Sequence, residues 1–500
     1  MFGTASVGWL IDNLWLQGVA IILPEVGKEF YNAQQTPWMT FSLYMGLICG
    51  AATWGILADI VGRKLSFNVT LALGGIFGIA GGAASSFTAL GGLLAALGFG
   101  VGGSLPVDGM LFLEFIPGSH QYLLTLLSVA WALGQLVASL IAWAFIANFT
   151  CSGSNSKPQA SPGARFEHCD TSTNVGWRYT LYTLGAISFA SFLLRFVVFQ
   201  LPESPKFYIS QGRDAEAVIV MRDIARRNGK TIPHDVLSVA ILRAAAGEDT
   251  TIVTEEDEVE LKTDLRRIID DCVQVPTSIF KSVTSLNAES FRLNMAHIRP
   301  LFATRKLTYN TIILWLIWGF IGLGYPLYNA FLPTYLSERF AGATGSGSTN
   351  ETYRSYVTIS AFGVPGSLIA AWLVELPRSG RRGALAISTF LTGIFIYLLS
   401  VAKTSQIYLA LNCLAAVAQQ MMYGTLYGIT PESFPAPARG FGDGIASSFN
   451  RVTGSMAPII SIFAGSKNAS APLFVSGALF IVAAILSITL RVETAGKAAL

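Results

Sequence analysis

Along most of this chain apolar residues run in long blocks instead of alternating with polar ones. Twelve blocks fall near 4–24, 38–60, 66–86, 90–115, 121–148 and 177–201, then 308–336, 355–376, 384–402, 406–430, 441–466 and 472–491. Each is long enough, as a helix, to cross a hydrocarbon layer roughly 30 Å thick. In lipid the backbone must satisfy its own hydrogen bonds, and continuous apolar blocks favour helices over the alternating pattern of a barrel. The pattern therefore predicts an all-α membrane protein of twelve transmembrane helices. A polar stretch separates six blocks from six. It divides the chain into an N-terminal bundle (1–201), a linker with short amphipathic helices (202–305), a C-terminal bundle (306–491) and a tail (492–500).

The two sets of six carry the same marks in register. Trp54, Gly62, Arg63 and Lys64 have counterparts in Trp372, Gly380, Arg381 and Arg382, and Glu114 and Pro117 in Glu432 and Pro435 (372 − 54 = 380 − 62 = 432 − 114 = 318). Two motifs sharing one offset, each beside an apolar run, imply two homologous halves and hence two pseudo-symmetric six-helix bundles.

Composition agrees: 52% of residues are hydrophobic and 13% charged, with a mean hydropathy of +0.52, too apolar for an ordinary soluble protein. The net charge of +3 adds little, because the charges sit between the blocks. No Lys or Arg precedes the first apolar run, and the run is too long for a cleavable signal, so it reads as a membrane helix that stays, with an N-terminal tail that is absent or missing. An even number of spans places both termini on one side. Short loops with Arg63, Lys64, Arg378, Arg381, Arg382 and Arg439 mark that side as cytoplasmic, although Lys28, Lys157, Arg165, Arg339, Arg354, Lys403 and Lys467 lie opposite. Sequons at Asn148, Asn350 and Asn468 fall in loops assigned outside and are candidate glycosylation sites; the triplet is common, and Asn68 shows it by chance. Cys151 and Cys169 share the longest outer loop, where a disulfide suits an oxidising face. Cys49, Cys272 and Cys413 read as plain thiols.

Five motifs carry a family resemblance. Gly55-Ile56-Leu57-Ala58-Asp59-Ile60-Val61-Gly62-Arg63-Lys64 resembles the loop 2–3 signature of the major facilitator superfamily. Pro202-Glu203-Ser204-Pro205-Lys206 resembles the motif after span 6 of its sugar porters and organic-ion transporters. Pro431-Glu432-Ser433-Phe434-Pro435 with Arg439, Gly440 and Arg451 resembles their span 10–11 motif, and Glu493-Thr494-Ala495-Gly496-Lys497 their ending. Gly100-Val101-Gly102-Gly103-Ser104-Leu105-Pro106-Val107-Asp108-Gly109 is closest to the synaptic-vesicle-protein-like branch, known from fungi as well as animals. The resemblance implies a gate at the cytoplasmic surface, with Gly62 in a tight turn and charges at Asp59, Arg63, Lys64, Glu114, Arg381, Glu432 and Arg439. Pro377 replaces the acid of the first signature in the second half, which points to a weaker clamp there. Ser104 stands where related phosphate–proton symporters carry Asp, which disfavours phosphate; Gly118-Ser119-His120-Gln121 replaces a common Arg-Gly pair.

A charge inside a membrane helix is costly and faces the bundle interior. Asp12, midway along span 1, is a candidate proton carrier; the plainer reading is a buried acid hydrogen-bonded to its neighbours. Asp108, one turn after Ser104, is the second candidate. Arg451 in span 11 has a planar fork suited to a carboxylate, either a substrate's or that of Asp12 or Asp108. Arg195, near the end of span 6, is expected to snorkel to the surface. Gln419, Tyr423 and Tyr427 form one stripe on span 10, Tyr325 and Asn329 one on span 7, and Ser128, Trp131 and Gln135 one on span 5. With Asn13 they make a candidate substrate wall or, alternatively, glue between helices. Arg213–Arg227 predicts an amphipathic helix in the linker, followed by an acidic run at 255–260.

The resemblance implies secondary active transport of a small organic solute, an organic anion or sugar-like metabolite, by alternating access with protons as coupling ion. An efflux carrier of the same fold is the alternative, and a non-transporting membrane receptor is the reading of a different class. Expected partners are the solute, protons and the lipid bilayer, with no nucleic acid; the expected state is a monomer in the plasma membrane, or a vacuolar or vesicular one. No P-loop, zinc-ligand spacing or nucleophile elbow occurs, and His120, His168, His234 and His297 are scattered through loops, so no enzyme activity, cofactor or metal is expected.

Overall fold

The computed structural model describes residues 2–30, 35–60, 63–115, 122–151, 169–197, 203–210, 213–233, 236–239, 241–242, 299–332, 335–336, 349–376, 380–435, 438–465 and 471–491. The N-terminal half consists of α1 (Phe2–Glu29), α2 (Pro37–Ile60), α3 (Arg63–Gly82), α4 (Phe87–Val101), α5 (Ser104–Phe115), α6 (Tyr122–Ile146) and α7 (Gly176–Val197). Two linker helices follow, α8 (Pro205–Ser210) and α9 (Asp214–Arg227). The C-terminal half comprises α10 (Arg305–Asn329), α11 (Thr349–Leu373), α12 (Gly380–Val401), α13 (Ser405–Glu432), α14 (Arg439–Gly454), α15 (Met456–Gly465) and α16 (Ala471–Thr489).

Spans 4 and 11 are not the single helices that their apolar runs suggest. The first breaks at Gly102–Gly103 between α4 and α5, the second at Ser455 between α14 and α15. Hydrophobicity cannot see such breaks, because the residues on both sides stay apolar. Elsewhere the helices start where short polar side chains can cap them. Ser86 accepts from the Ala89 amide at 3.2 Å, Thr304 from Leu307 at 3.2 Å and Thr404 from Ile407 at 3.3 Å. Helix α12 begins at Gly380, whose φ of 57° lies in the left-handed region that glycine adopts freely. The amphipathic helix expected in the linker is α9, with Asp223 paired to Arg226 at 2.8 Å and Arg227 at 2.7 Å.

Within the N-terminal half, α1 packs on α6, α2 on α4 and α3 on α7; in the C-terminal half, α11 packs on α13, α12 on α16 and α10 on α14. The α2–α4 contact is a reciprocal glycine seam. A Cβ at Gly46 or Gly50 would run into the backbone of Ala95 or Phe99, and one at Gly98 or Gly102 into that of Leu43 or Leu47. Lipid gives helices no hydrophobic reason to associate, so close backbone approach of this kind is what holds them. The halves meet along α6 with α11 and α13, and along α2 with α14 and α15. Below, the face where α1 begins is called the base. The opposite face carries the Cys151–Cys169 bridge.

Gly50→Leu is expected to destabilise the bundle by about 1–3 kcal/mol through overpacking, whereas Ala52→Leu, on the exposed side of the same helix, is expected to be neutral. Thermal unfolding midpoints in detergent compare the two.

Candidate functional site

The polar residues that the apolar blocks carry converge where the halves meet. Asp12 is buried, and its two oxygens accept from Ser104 Oγ at 3.0 Å and Trp131 Nε1 at 3.4 Å. Trp131 reaches it because Gly134, one turn along α6, lets that helix lie against the α1 backbone at Leu10 and Leu14. Asn13 Nδ2 donates to the Trp131 carbonyl at 2.7 Å. One turn above Asn13, Gln17 connects the halves: its amide donates to Tyr325 Oη at 2.6 Å and, more weakly, to Asn13 at 3.4 Å, and its carbonyl oxygen accepts from Tyr356.

The C-terminal half supplies the matching amides. Asn329 donates to Gln419 at 2.8 Å, and Gln420 donates across the interface to Gln135 at 3.1 Å. Gln419 Nε2 and Gln420 Oε1 are buried without a hydrogen-bond partner, which leaves one donor and one acceptor for a guest. Aromatic rings close the lower side. Trp131 lies 4.9 Å from Tyr423, Tyr325 5.0 Å from Tyr423, and both Trp9 and Trp318 5.0 Å from Tyr427. A small pocket sits beside this wall and is lined by Gln17, Thr40, Tyr44, Tyr325 and Asn329 among apolar residues of α1, α2 and α10.

The charges are placed differently from expectation at two positions. Arg451 makes no ion pair with Asp12 or Asp108. Its guanidinium crosses to the other half and donates to the carbonyl oxygens of Gly102 and Leu47, within electrostatic range of Asp12. The break after α4 explains the Gly102 contact: a helix end leaves carbonyls unpaired, and a cation satisfies them, while Leu47, inside α2, is the longer contact at 3.5 Å. Arg195 does not snorkel. It is 1% exposed, paired with Asp108 at 3.2 Å and bonded to the Thr4 carbonyl at 2.7 Å.

At the base, Arg381 and Glu432 form a buried ion pair, so the second half joins its two repeated motifs directly and does so without the acid that Pro377 displaces. Gly62 and Pro377 lie outside the described residues, as do the side chains of Asp59, Arg63, Lys64, Glu114 and Arg439. On the disulfide face Cys151 and Cys169 are joined, and the Cys169 amide donates to the Lys28 carbonyl at 3.2 Å. Asn148 is exposed in a turn. Asn350 is not in a loop: α11 begins at Thr349, and the Asn350 side chain accepts from Trp143 at 2.7 Å. Asn468 lies outside the described residues, as does Cys272, while Cys49 and Cys413 are free thiols.

The sequence profile of the Major Facilitator Superfamily matches residues 5–377. The chain belongs to that superfamily. The MFS siderochrome iron transporter 1 of Ceriporiopsis subvermispora is 40% identical over 501 residues, covering 100% of this chain and 88% of that protein. The major facilitator-type transporter hxnZ of Emericella nidulans is 41% identical over 506 residues, covering 100% and 84%. The MFS proton:xylose symporter XylE bound to 6-bromo-6-deoxy-D-glucose superposes with a TM-score of 0.67 at 16% identity, covering 100% of this chain and 96% of its own. That likeness is one of fold. The chain is thus an integral multi-pass transporter of the superfamily, with small-molecule substrates and a bilayer around it, and not an enzyme.

In this superfamily member, reading from sequence missed Gln17, Tyr356 and Gln420, and it named Arg195 but placed it at the surface. The first three had a signal: Gln17 stands four after Asn13, Tyr356 is four before Ser360, and Gln420 adjoins Gln419. Arg195 had none, since its position relative to Asp108 is set by how three helices pack.

Glu432→Gln would leave Arg381 buried without its counter-charge, at an expected cost of about 3–5 kcal/mol. The double variant Arg381→Gln/Glu432→Gln is expected to recover most of that. Unfolding midpoints of the single and double variants check the coupling.

Proposed function

We propose that this transporter moves a small organic solute by alternating access, coupled to protons through Asp12. The observation that carries the reading is a buried carboxylate at the junction of the halves, held by Ser104 and Trp131 beneath a neutral amide and phenol cluster. A membrane-embedded acid with two donors can exist charged or neutral, and each form suits a different packing of the helices around it. The solute site is assigned to Asn13, Gln17, Gln135, Tyr325, Asn329, Gln419 and Tyr423, and the partnerless Gln419 and Gln420 atoms favour a solute with both an acceptor and a donor. An organic anion or a sugar-like metabolite fits that chemistry. Arg451 is available to an anion once it leaves the Gly102 and Leu47 carbonyls.

Arg381 with Glu432 is the described part of the inner gate, with Asp59, Gly62, Arg63, Lys64, Glu114 and Arg439 its further members. Both termini and the 202–305 linker are placed in the cytoplasm, the protein as a monomer in the plasma membrane, with glycosylation at Asn148, Asn350 or Asn468 on the outer face.

Reconstituted in vesicles with an imposed pH gradient and a panel of radiolabelled organic acids, sugars and nucleobases, the protein is expected to accumulate one class against its gradient. Asp12→Asn is expected to abolish accumulation while solute exchange at equal pH persists. Accumulation by Asp12→Asn equal to that of the parent chain would refute the coupling site. Gln419→Ala is expected to raise KM roughly fivefold with little change in kcat, the worth of one neutral hydrogen bond.

A further inference from the structure

The base of the C-terminal half concentrates positive charge that neither the solute cluster nor the Arg381–Glu432 pair uses. Arg299 opens a short 3-10 helix, Arg299–Phe302, that leads into α10. Arg305 and Lys306 lie in the first turn of α10, Arg382 in the first turn of α12, and Arg491 just past α16. Residues 299–329, 380–401 and 471–491 contain no Asp or Glu. Arg299, Arg305, Lys306 and Arg491 are exposed. Arg305 and Lys306 also stand against the field of their own helix, because they occupy its positive, N-terminal end.

Contacts gather these charges into one corner. Arg382 Nη2 donates to the Ile488 carbonyl at 2.8 Å. The Arg491 amide donates to Asn310 Oδ1 at 3.2 Å, and its guanidinium lies 4.5 Å from the centre of the Tyr309 ring. Arg305 stands four residues before Tyr309, on the same face of α10. Thr311 Oγ1 donates to the Leu301 carbonyl at 3.4 Å, and the Phe302 ring lies 6.1 Å from Trp315, so the 3-10 helix folds back along α10. Farther from the base the exposed side chains turn aliphatic, with Ile312 and Leu316 on α10 and Ile485 and Ile488 on α16, two helices that pack together. The order from the base inward is cation, aromatic ring, aliphatic chain. A bias of Lys and Arg toward one side of the membrane accounts for cations near a base. It does not clear three helices of acids. Arg195, near the base end of α7, turns inward to Asp108, whereas Arg491 at the end of α16 stays exposed.

We propose that the α10–α16 corner binds an anionic phospholipid of the leaflet at the base. Its phosphate sits among Arg305, Lys306 and Arg491, and its acyl chains lie along Ile312, Leu316, Ile485 and Ile488. Arginine forks and a lysine match phosphate oxygens, and a cationic corner without acids favours a net negative headgroup over a zwitterionic one. The aliphatic tier distinguishes a lipid from a soluble anion, which has nothing to lay against it.

Native mass spectrometry of the full chain, released from mild detergent with phosphatidylglycerol or phosphatidylcholine added at equal concentration, tests this. Phosphatidylglycerol is expected to stay bound through activation that strips phosphatidylcholine. Arg305→Gln/Lys306→Gln/Arg491→Gln is expected to weaken its retention about tenfold or more and to leave phosphatidylcholine unchanged. Arg226→Gln/Arg227→Gln/Lys230→Gln removes the same charge from exposed positions in the linker and is expected to change neither. Equal retention of the two lipids, or equal loss in the two triple variants, would overturn the site. Displacement of phosphatidylglycerol by millimolar inorganic phosphate would do the same, by reducing the corner to a phosphate site. Retention that appears only after Glu255, Glu256, Asp257, Glu258 and Glu260 are replaced by Gln would also overturn it, by marking the acidic run of the linker as the occupant.

Discussion

A polar group taken out of water must find its partner inside the bundle, and that constraint organises this molecule more than any single contact does. The lipid-facing surface needs only apolar residues. The interior has to solve a pairing problem for every Asp, Arg, Gln and Asn that the spans carry. Asp12 is answered by a hydroxyl and an indole, Asp108 by Arg195, Arg381 by Glu432 and Arg451 by main-chain oxygen. The two halves distribute the task unequally. Both buried carboxylates near mid-membrane belong to the first half, whereas the second contributes amides, phenols and Arg451. Gln17 and Gln135 of the first half join those phenols and amides across the one interface that the halves share.

Much of the architecture was legible in the order of residues. Apolar block length was enough for the spans, and the constant offset between Trp54…Lys64 and Trp372…Arg382 for the two halves. Intramembrane Asp12, Asp108 and Arg451 stood out because charge is rare in such blocks. Their partners were another matter. Nothing local to Arg195 says that it turns inward to Asp108, since that depends on Gly8 giving way on a third helix. Nothing local to Arg451 says that it seeks carbonyls, since that depends on a helix break that hydropathy does not register. The stripes on spans 5, 7 and 10 were visible as stripes. Their convergence with Gln17 and Tyr356 is a property of packing alone.

The same logic explains why the second half has a buried ion pair at the base although Pro377 stands where the first signature has an acid. Arg381 takes its counter-charge from Glu432 at the far end of α13, so the pairing spans two motifs where the sequence suggests a bond within one. Sequence motifs record which residue types are present, and long-range packing decides which of them meet.

The grip of Arg451 on Gly102 and Leu47 has a genetic consequence. Its acceptors are main-chain oxygens, which every amino acid possesses, so side-chain replacement on the partner helices cannot delete them. Nor can a charge exchange restore a lost contact, because there is no side-chain charge to exchange. Inheritance of that link therefore rests on one codon for the donor, and on glycine at position 102 only for the room it leaves beside Leu47.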